Sequence, residues 1–373
     1  MTIENPITAA AVQPRPVVGR LPRYAAGKPP MVVEGLQSFK LSSNENPLPP
    51  IPAVLEAVHA EQDVNRYPDS LSTRLRTALA SFLDVPAEDI VTGAGSLGAL
   101  NQLLATFAGQ NEDGKADEVI YAWRSFEAYP ICVGLAGAES VRIPLLADGR
   151  HDLEAMAAAV SARTKVILLC TPNNPTGPVL TTSETENFIK SVPEDVVIVI
   201  DEAYQEFVRA EEAVDGIAMY RRYPNVVVLR TFSKAHGLAG LRVGYSVSRP
   251  ELTQYLRVVA TPFAVSSVAE HAAVTSLAHN DQVVERVQNL VDERERVTTA
   301  LKGLGWNIPD AQGNFVWLDL GEDSPGFAAL AEERGLSVRA FGNEGVRVSI
   351  GEQEANSRFL DLCAGYTKAP RGS

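Results

Sequence analysis

The sequence predicts an α/β protein: a mostly parallel, seven-stranded sheet in a large domain, followed by a smaller α/β domain. Three observations carry that expectation. From about residue 89, short β-branched runs alternate with helical patterns, the way strands and crossover helices are written. Several runs, such as VVIVI at 196–200, are apolar throughout, as strands covered on both faces must be. The 373 residues, 45% hydrophobic and 21% charged, are ordinary globular usage for two or three domains of roughly 150 residues each.

Taken in chain order, the first 52 residues hold ten of the 24 prolines. Proline offers no amide hydrogen to a helix or ladder, so residues 1–52 are expected as an extended arm that also begins the small domain. Residues 53–265 should form the large domain. Its seven strands are read at Ile90–Thr92, Val119–Ala122, Ser140–Pro144, Lys165–Cys170, Val196–Ile200, Val226–Leu229 and Val243–Val247. Only about a dozen residues separate the last two, glycines among them, which is too little for a crossover helix; the seventh strand is therefore expected to run antiparallel. Residues 266–373 should form the small domain: long helices from Ser266 to Leu304, a strand in GNFVWLDL, a short helix, strands in LSVRAF and GVRVSI, and a closing helix from Glu352. No period of 20 to 50 residues is visible, which excludes a solenoid.

Charge and composition narrow the function. With 33 Lys+Arg against 46 Asp+Glu the net charge is -13, which repels phosphate backbones and argues against a nucleic-acid partner. No apolar run approaches the roughly 20 residues that cross a bilayer, and MTIENPITAA lacks the features of a signal peptide, so a soluble, cytoplasmic protein is expected. Cys132, Cys170 and Cys363 lie far apart with no Cys-x-x-Cys, supporting neither a disulfide framework nor a zinc site. The five histidines include no metal-ligand spacing.

Ligands of open α/β sheets bind beyond the carboxyl ends of strands, and four loops there hold unusual residues. In VTGAGSLGAL, Gly93, Gly95 and Gly98 satisfy G-x-G-x-x-G, but the next strand ends in Trp123 rather than the acidic residue a dinucleotide ribose needs. A helix opened by glycines still presents amides to a phosphate; a plain turn is the alternative. CTPNNPTGP is a turn by composition whose Asn173 and Asn174 also supply amide donors. Asp201 ends a strand too apolar to carry a carboxylate without a partner, which either a helix cap or a buried ligand would provide. In TFSKAHGLAGLRVG, Lys234 follows a buried strand, with the hydroxyls of Thr231 and Ser233 before it and Arg242 eight residues on. An ammonium in such a crevice acquires a lowered pKa and acts as a nucleophile toward a carbonyl; a snorkelling surface lysine is the alternative. Together, amine, carboxylate, asparagines, hydroxyls and guanidinium match an aldehyde cofactor with a basic ring nitrogen and a phosphate tail.

These motifs carry a resemblance. PNNPTG, DEAY, TFSK and GLAGLRVG, in that order over nearly the full length, resemble the fold-type I pyridoxal-phosphate aminotransferases, in their histidinol-phosphate and aromatic branch. The resemblance implies pyridoxal 5'-phosphate as cofactor, with Lys234 carrying its aldehyde and later moving the Cα proton. It implies that Asp201 pairs with the ring nitrogen, that Asn174 and Tyr204 bond the phenolate oxygen, and that Phe126 stacks on the ring. Gly95, Ser96, Thr231, Ser233 and Arg242 would hold the phosphate. Tyr67, in NRYPD, would reach the phosphate of a neighbouring subunit, implying a homodimer with shared active sites.

For the substrate, the resemblance assigns the carboxylate to Arg347 in GVRVSIG, since a guanidinium makes two parallel bonds to a carboxylate; a solvent-facing arginine on an alternating strand is the alternative. Tyr24 and Arg339 match positions near the side-chain pocket or are surface residues. WRSFEAYP, at 123–130, resembles the aromatic-amino-acid version, whereas LSSNENPLPP, at 41–50, looks more like the histidinol-phosphate version. The first lies beside the ring site, so the expected reaction is ping-pong transfer of an amino group from an aromatic L-amino acid to a 2-oxo acid such as 2-oxoglutarate. The alternative is histidinol-phosphate aminotransfer. A nicotinamide oxidoreductase would rest on Gly93, Gly95 and Gly98 alone. A decarboxylase or lyase of the same cofactor class would share Lys234 and Asp201, but Arg347 argues for a retained carboxylate.

Overall fold

The computed structural model describes residues 15–111 and 113–366. In chain order the strands are β1 (Phe39–Lys40), β2 (Ile90–Ala94), β3 (Glu118–Trp123), β4 (Glu139–Pro144), β5 (Thr164–Cys170) and β6 (Val197–Asp201), then β7 (Val226–Thr231), β8 (Val243–Ser248), β9 (Phe315–Leu318), β10 (Leu336–Ser337), β11 (Arg339–Phe341) and β12 (Gly345–Ser349). Strands β2 to β8 form one sheet in the order β2-β8-β7-β6-β5-β3-β4. Strand β8 is antiparallel to both neighbours and the other pairs are parallel. The seven strands expected from the sequence are all present, and the short return from β7 does reverse the last one.

The apolar runs fold as strands because both faces of the sheet are covered. Ile198 and Ile200 of β6 join Val226 and Val228 of β7 in one buried cluster, while Val197, Val199, Val227 and Leu229 enter another on the opposite face. Each such side chain contributes about 1.5–3 kcal/mol when fully removed from water.

A third cluster surrounds the sheet β11-β12-β9, which is antiparallel. The helix Asn280–Gly303 lays Val283, Val287, Leu290, Val297 and Leu301 against this cluster at helical spacing. The LSVRAF run, expected as one strand, divides: Leu336 and Ser337 pair with Phe39 and Lys40 of the arm, whereas Arg339 to Phe341 pair with β12. Two partners in different directions cannot be served by one straight strand. The arm, expected to be extended, contains one helical turn at Pro16–Arg20, started by a proline at a position where a missing amide costs nothing. Its part before residue 15 lies outside the described residues.

Two features of this architecture bring chemistry to one edge. The parallel strands β2, β5, β6 and β7 end there, and antiparallel β8 begins there, so Arg242 meets the loops of its neighbours. From the other side, the arm is strapped to β12: the Ser349 amide donates to the Leu41 carbonyl at 2.9 Å and the Asn44 amide to Ser349 Oγ at 2.8 Å. Among the described residues no helix is long and apolar enough to cross a membrane.

Candidate active site

A cavity of about 350 Å³ opens at this edge, walled by the strand-end loops, the arm and strands β11 and β12. Lys234 lies inside it, on the loop after β7. Its Nζ donates to the Ser43 carbonyl at 3.2 Å and sits 5.7 Å from the centre of the Tyr204 ring. Burial, with the neighbouring Arg347 and Arg242 charges, lowers its pKa to about 7 against the opposing pull of Glu45. A substantial fraction of the amine is thus neutral near pH 7, as a nucleophile requires.

Asp201, the last residue of β6, enters the cavity from its floor. Its Oδ2 accepts from Tyr129 Oη at 2.7 Å, and its Oδ1 is buried with no hydrogen-bond partner. Burial raises the carboxyl to about 6, against the stabilising bond from Tyr129. A buried acceptor left unpaired is costly unless a ligand donor completes it. The adjacent Glu202 ties this loop to its surroundings, accepting from the Gly216 amide at 2.7 Å and from Arg230 Nε at 2.9 Å. Tyr204 and Asn174 face the same space: Asn44 Nδ2 donates to Tyr204 Oη at 3.0 Å, and burial pushes that phenol well above its usual range.

At the other end, the helix Gly95–Phe107 points its first turn at the cavity, where Ser96, Thr231, Ser233 and Arg242 converge. Thr231 Oγ1 donates to Ser233 Oγ at 3.0 Å, and Arg242 Nη1 to the Ala239 carbonyl at 3.0 Å. Gly95 itself is not part of the cavity lining, but its φ of +74° favours glycine, and a Cβ there would push the Arg242 guanidinium from its place. Amide donors, hydroxyls, a helix dipole and a guanidinium form a cup suited to a phosphate. Phe126 lines the cavity between the two ends, its ring edge-on to Tyr129 with centroids 5.6 Å apart. The orphaned Asp201 oxygen at one end and this cup at the other fit a ring with a basic nitrogen and a phosphate tail.

Arg347 reaches the cavity from β12. Its Nη1 donates to Asn174 Oδ1 at 2.6 Å and its Nη2 to the Ser42 carbonyl at 2.8 Å, while Nε is buried without a partner. Arg339 and Tyr24 also line the wall, Arg339 paired with Glu127. Tyr67 is apart from the cavity: it is 83% exposed and stacks on Phe263 with centroids 4.6 Å apart. His236, two residues from Lys234, is bonded through Nδ1 to Ser276 Oγ at 2.8 Å, and burial lowers its pKa to about 4. Sequence reasoning missed Tyr129, Asn44 and Glu127. All three lie in WRSFEAYP or LSSNENPLPP, the segments that bore on the substrate, but their partners are distant in sequence.

Comparison with known proteins agrees with this geometry. The family model described as aminotransferase class I and II matches residues 37–362. An aromatic amino acid aminotransferase of Streptomyces coelicolor is 50% identical over 349 residues, covering 93% of this chain and 96% of the relative. One from Thermobifida fusca is 48% identical over 355 residues, covering 95% and 97%. Among solved structures, a histidinol-phosphate aminotransferase from Sinorhizobium meliloti in complex with pyridoxal-5'-phosphate superposes with a TM-score of 0.81 at 27% identity, covering 96% of each chain. A Thermus thermophilus aspartate aminotransferase shares the fold, with a TM-score of 0.77 at 23% identity over 89% of this chain and 92% of that one.

Proposed function

The chain belongs to the aminotransferase class I and II family, and from that premise we propose that it moves the amino group of an aromatic L-amino acid (phenylalanine, tyrosine or tryptophan) to a 2-oxo acid such as 2-oxoglutarate. It is an enzyme, a pyridoxal-phosphate-dependent transaminase. The observation that carries the assignment is the joining, in one cavity, of a lysine with a lowered pKa, a buried carboxylate with an open acceptor and a buried arginine that has no carboxylate partner among the described residues. The aromatic reading over the histidinol-phosphate one rests on relatives near 50% identity and on the apolar walls that Leu97, Phe126 and Phe341 give the cavity.

In this reading Lys234 holds the cofactor by its aldehyde, Asp201 takes the ring nitrogen on its free Oδ1, and Asn174 and Tyr204 bond the phenolate oxygen. Phe126 stacks on the ring, and Gly95, Ser96, Thr231, Ser233 and Arg242 hold the phosphate. When bound, pyridoxal 5'-phosphate supplies an electron sink for the pair left at the donor's Cα. Once the substrate's amine replaces it, Lys234 Nζ is free to take the Cα proton and return it elsewhere, a task suited to an amine titrating near neutrality. Arg347 holds the α-carboxylate of donor and acceptor in turn, exchanging its bond to Asn174 for a bidentate one. Tyr24 and Arg339 border the side chain.

We further propose a cytoplasmic homodimer in which Tyr67 reaches the phosphate of the neighbouring subunit's site. Its exposure, outside the lining of its own cavity, supports that role. In the same reading the chain divides at about residues 52 and 265 into arm, large domain and small domain, although Ala269, Ala272, Ala273 and Leu277 of the helix Ser267–Ala278 pack in the large sheet's cluster. Kinetics test the reaction: phenylalanine and 2-oxoglutarate should give phenylpyruvate and glutamate, with parallel double-reciprocal lines when both substrates are varied. Intersecting lines would contradict the ping-pong order.

A further inference from the structure

We propose that Glu127 makes the enzyme prefer uncharged over anionic side chains by keeping Arg339 as its own partner; this rests on the aminotransferase reading above. Glu127 follows Phe126 in the cavity wall. Its two carboxylate oxygens accept from Arg339 Nη2 at 2.9 and 3.1 Å. The two side chains are only 15% and 25% exposed, so solvent screens the pair weakly.

The surroundings give the pairing its meaning. Arg339 stands directly opposite Arg347 in the β11–β12 ladder, where like charges repel. The Phe341 ring has three guanidinium carbons near it, Arg339 at 5.3 Å, Arg124 at 5.4 Å and Arg347 at 5.5 Å. Arg339 is matched by Glu127 and Arg124 by Glu344. Arg347 instead bonds the neutral oxygens of Asn174 and Ser42. This wall of the cavity thus leaves one arginine, Arg347, for one anion, Arg242 standing at the other end in the phosphate cup. A substrate with an α-carboxylate and an uncharged side chain needs no more. A substrate with an anion at its far end, phosphate or carboxylate, must pull Arg339 away from Glu127, and the lost pairing subtracts from its binding.

The test compares kcat/KM for L-histidinol phosphate and for L-phenylalanine in the holoenzyme and its variants. In Glu127→Gln the ratio of the first to the second should rise about tenfold, the factor that about 1.4 kcal/mol gives, with the gain in KM rather than kcat. The KM for 2-oxoglutarate should fall relative to that for phenylpyruvate. The double variant Glu127→Gln with Arg339→Gln should lose the gain. If Glu127→Gln does not fold, Arg339→Gln alone should lower the same ratio, because an unpaired Glu127 then repels the anion. A ratio within about twofold of wild type in Glu127→Gln, or in Arg339→Gln where that variant stands in for it, or a rise that survives in the double variant, overturns the proposal. A wild-type enzyme that does not transaminate phenylalanine overturns the underlying reading instead, so the two failures are distinct.

Discussion

In the proposed reaction Lys234 is the residue on which the chemistry turns, and its environment makes a checkable statement about stability. In the cofactor-free protein its pKa is about 7 against an ordinary 10.5, so between those values the unfolded chain binds more protons than the folded one. Stability therefore rises with pH across that window, because deprotonation removes a charge that the fold buries at a cost. Chemical denaturation of the cofactor-free protein from pH 7 to 10 should show this rise, and Lys234→Met should flatten it; an unchanged slope in the variant would place the titration elsewhere. Lys234 and Asp201 were legible in the sequence because a charged residue at the end of an apolar strand is conspicuous. Tyr129 and Asn44 were not, since their bonds to Asp201 and Tyr204 span 72 and 160 residues and arise only when the loops converge.

Elements explain which loops could be read. The β7 to β8 return is so short that its antiparallel course followed from spacing, and with it the arrival of Arg242 at the same edge as Thr231 and Ser233. The split of LSVRAF between two sheets was hidden, because residue pattern records which residues are apolar but not that β10 would be claimed by the arm. The glycine-rich loop after β2 reads literally as a dinucleotide motif, yet its glycines serve close packing: a Cβ at Gly93 would press on the Ala99 amide nitrogen at 2.7 Å, and one at Gly95 would collide with Arg242. Gly95→Ala should therefore displace the guanidinium and strain a positive φ. Titration with pyridoxal phosphate should show affinity weakened about tenfold or more, as the loss of one charge-assisted bond gives; unchanged affinity would remove Arg242 from the phosphate cup.

For the molecule as a whole, the exposed Tyr67 and Phe263, with Val64 75% and Val258 81% exposed, leave apolar surface on one chain that the second copy of the proposed dimer would cover. Complementation tests the shared site. Mixed and refolded together, Lys234→Ala chains and Tyr67→Ala chains should form hybrids in which one of the two sites has both native residues. Activity should exceed the sum of the separate variants; simple addition would mean that Tyr67 does not act across subunits. The large sheet was legible from its repeated apolar runs, whereas the closure of the site by the arm and β12 depends on contacts of about 305 residues' separation, such as Arg347 to Ser42 and Asn44 to Ser349, which no local pattern announces. The most direct measurement of the central claim is the visible spectrum of the wild-type protein and of Lys234→Ala with pyridoxal phosphate, before and after L-phenylalanine or L-histidinol phosphate. The account expects a yellow wild-type protein that phenylalanine bleaches at the lower concentration, and no such bound form in the variant. A wild-type protein that stays colourless, or one that histidinol phosphate converts far more readily than phenylalanine, would contradict it.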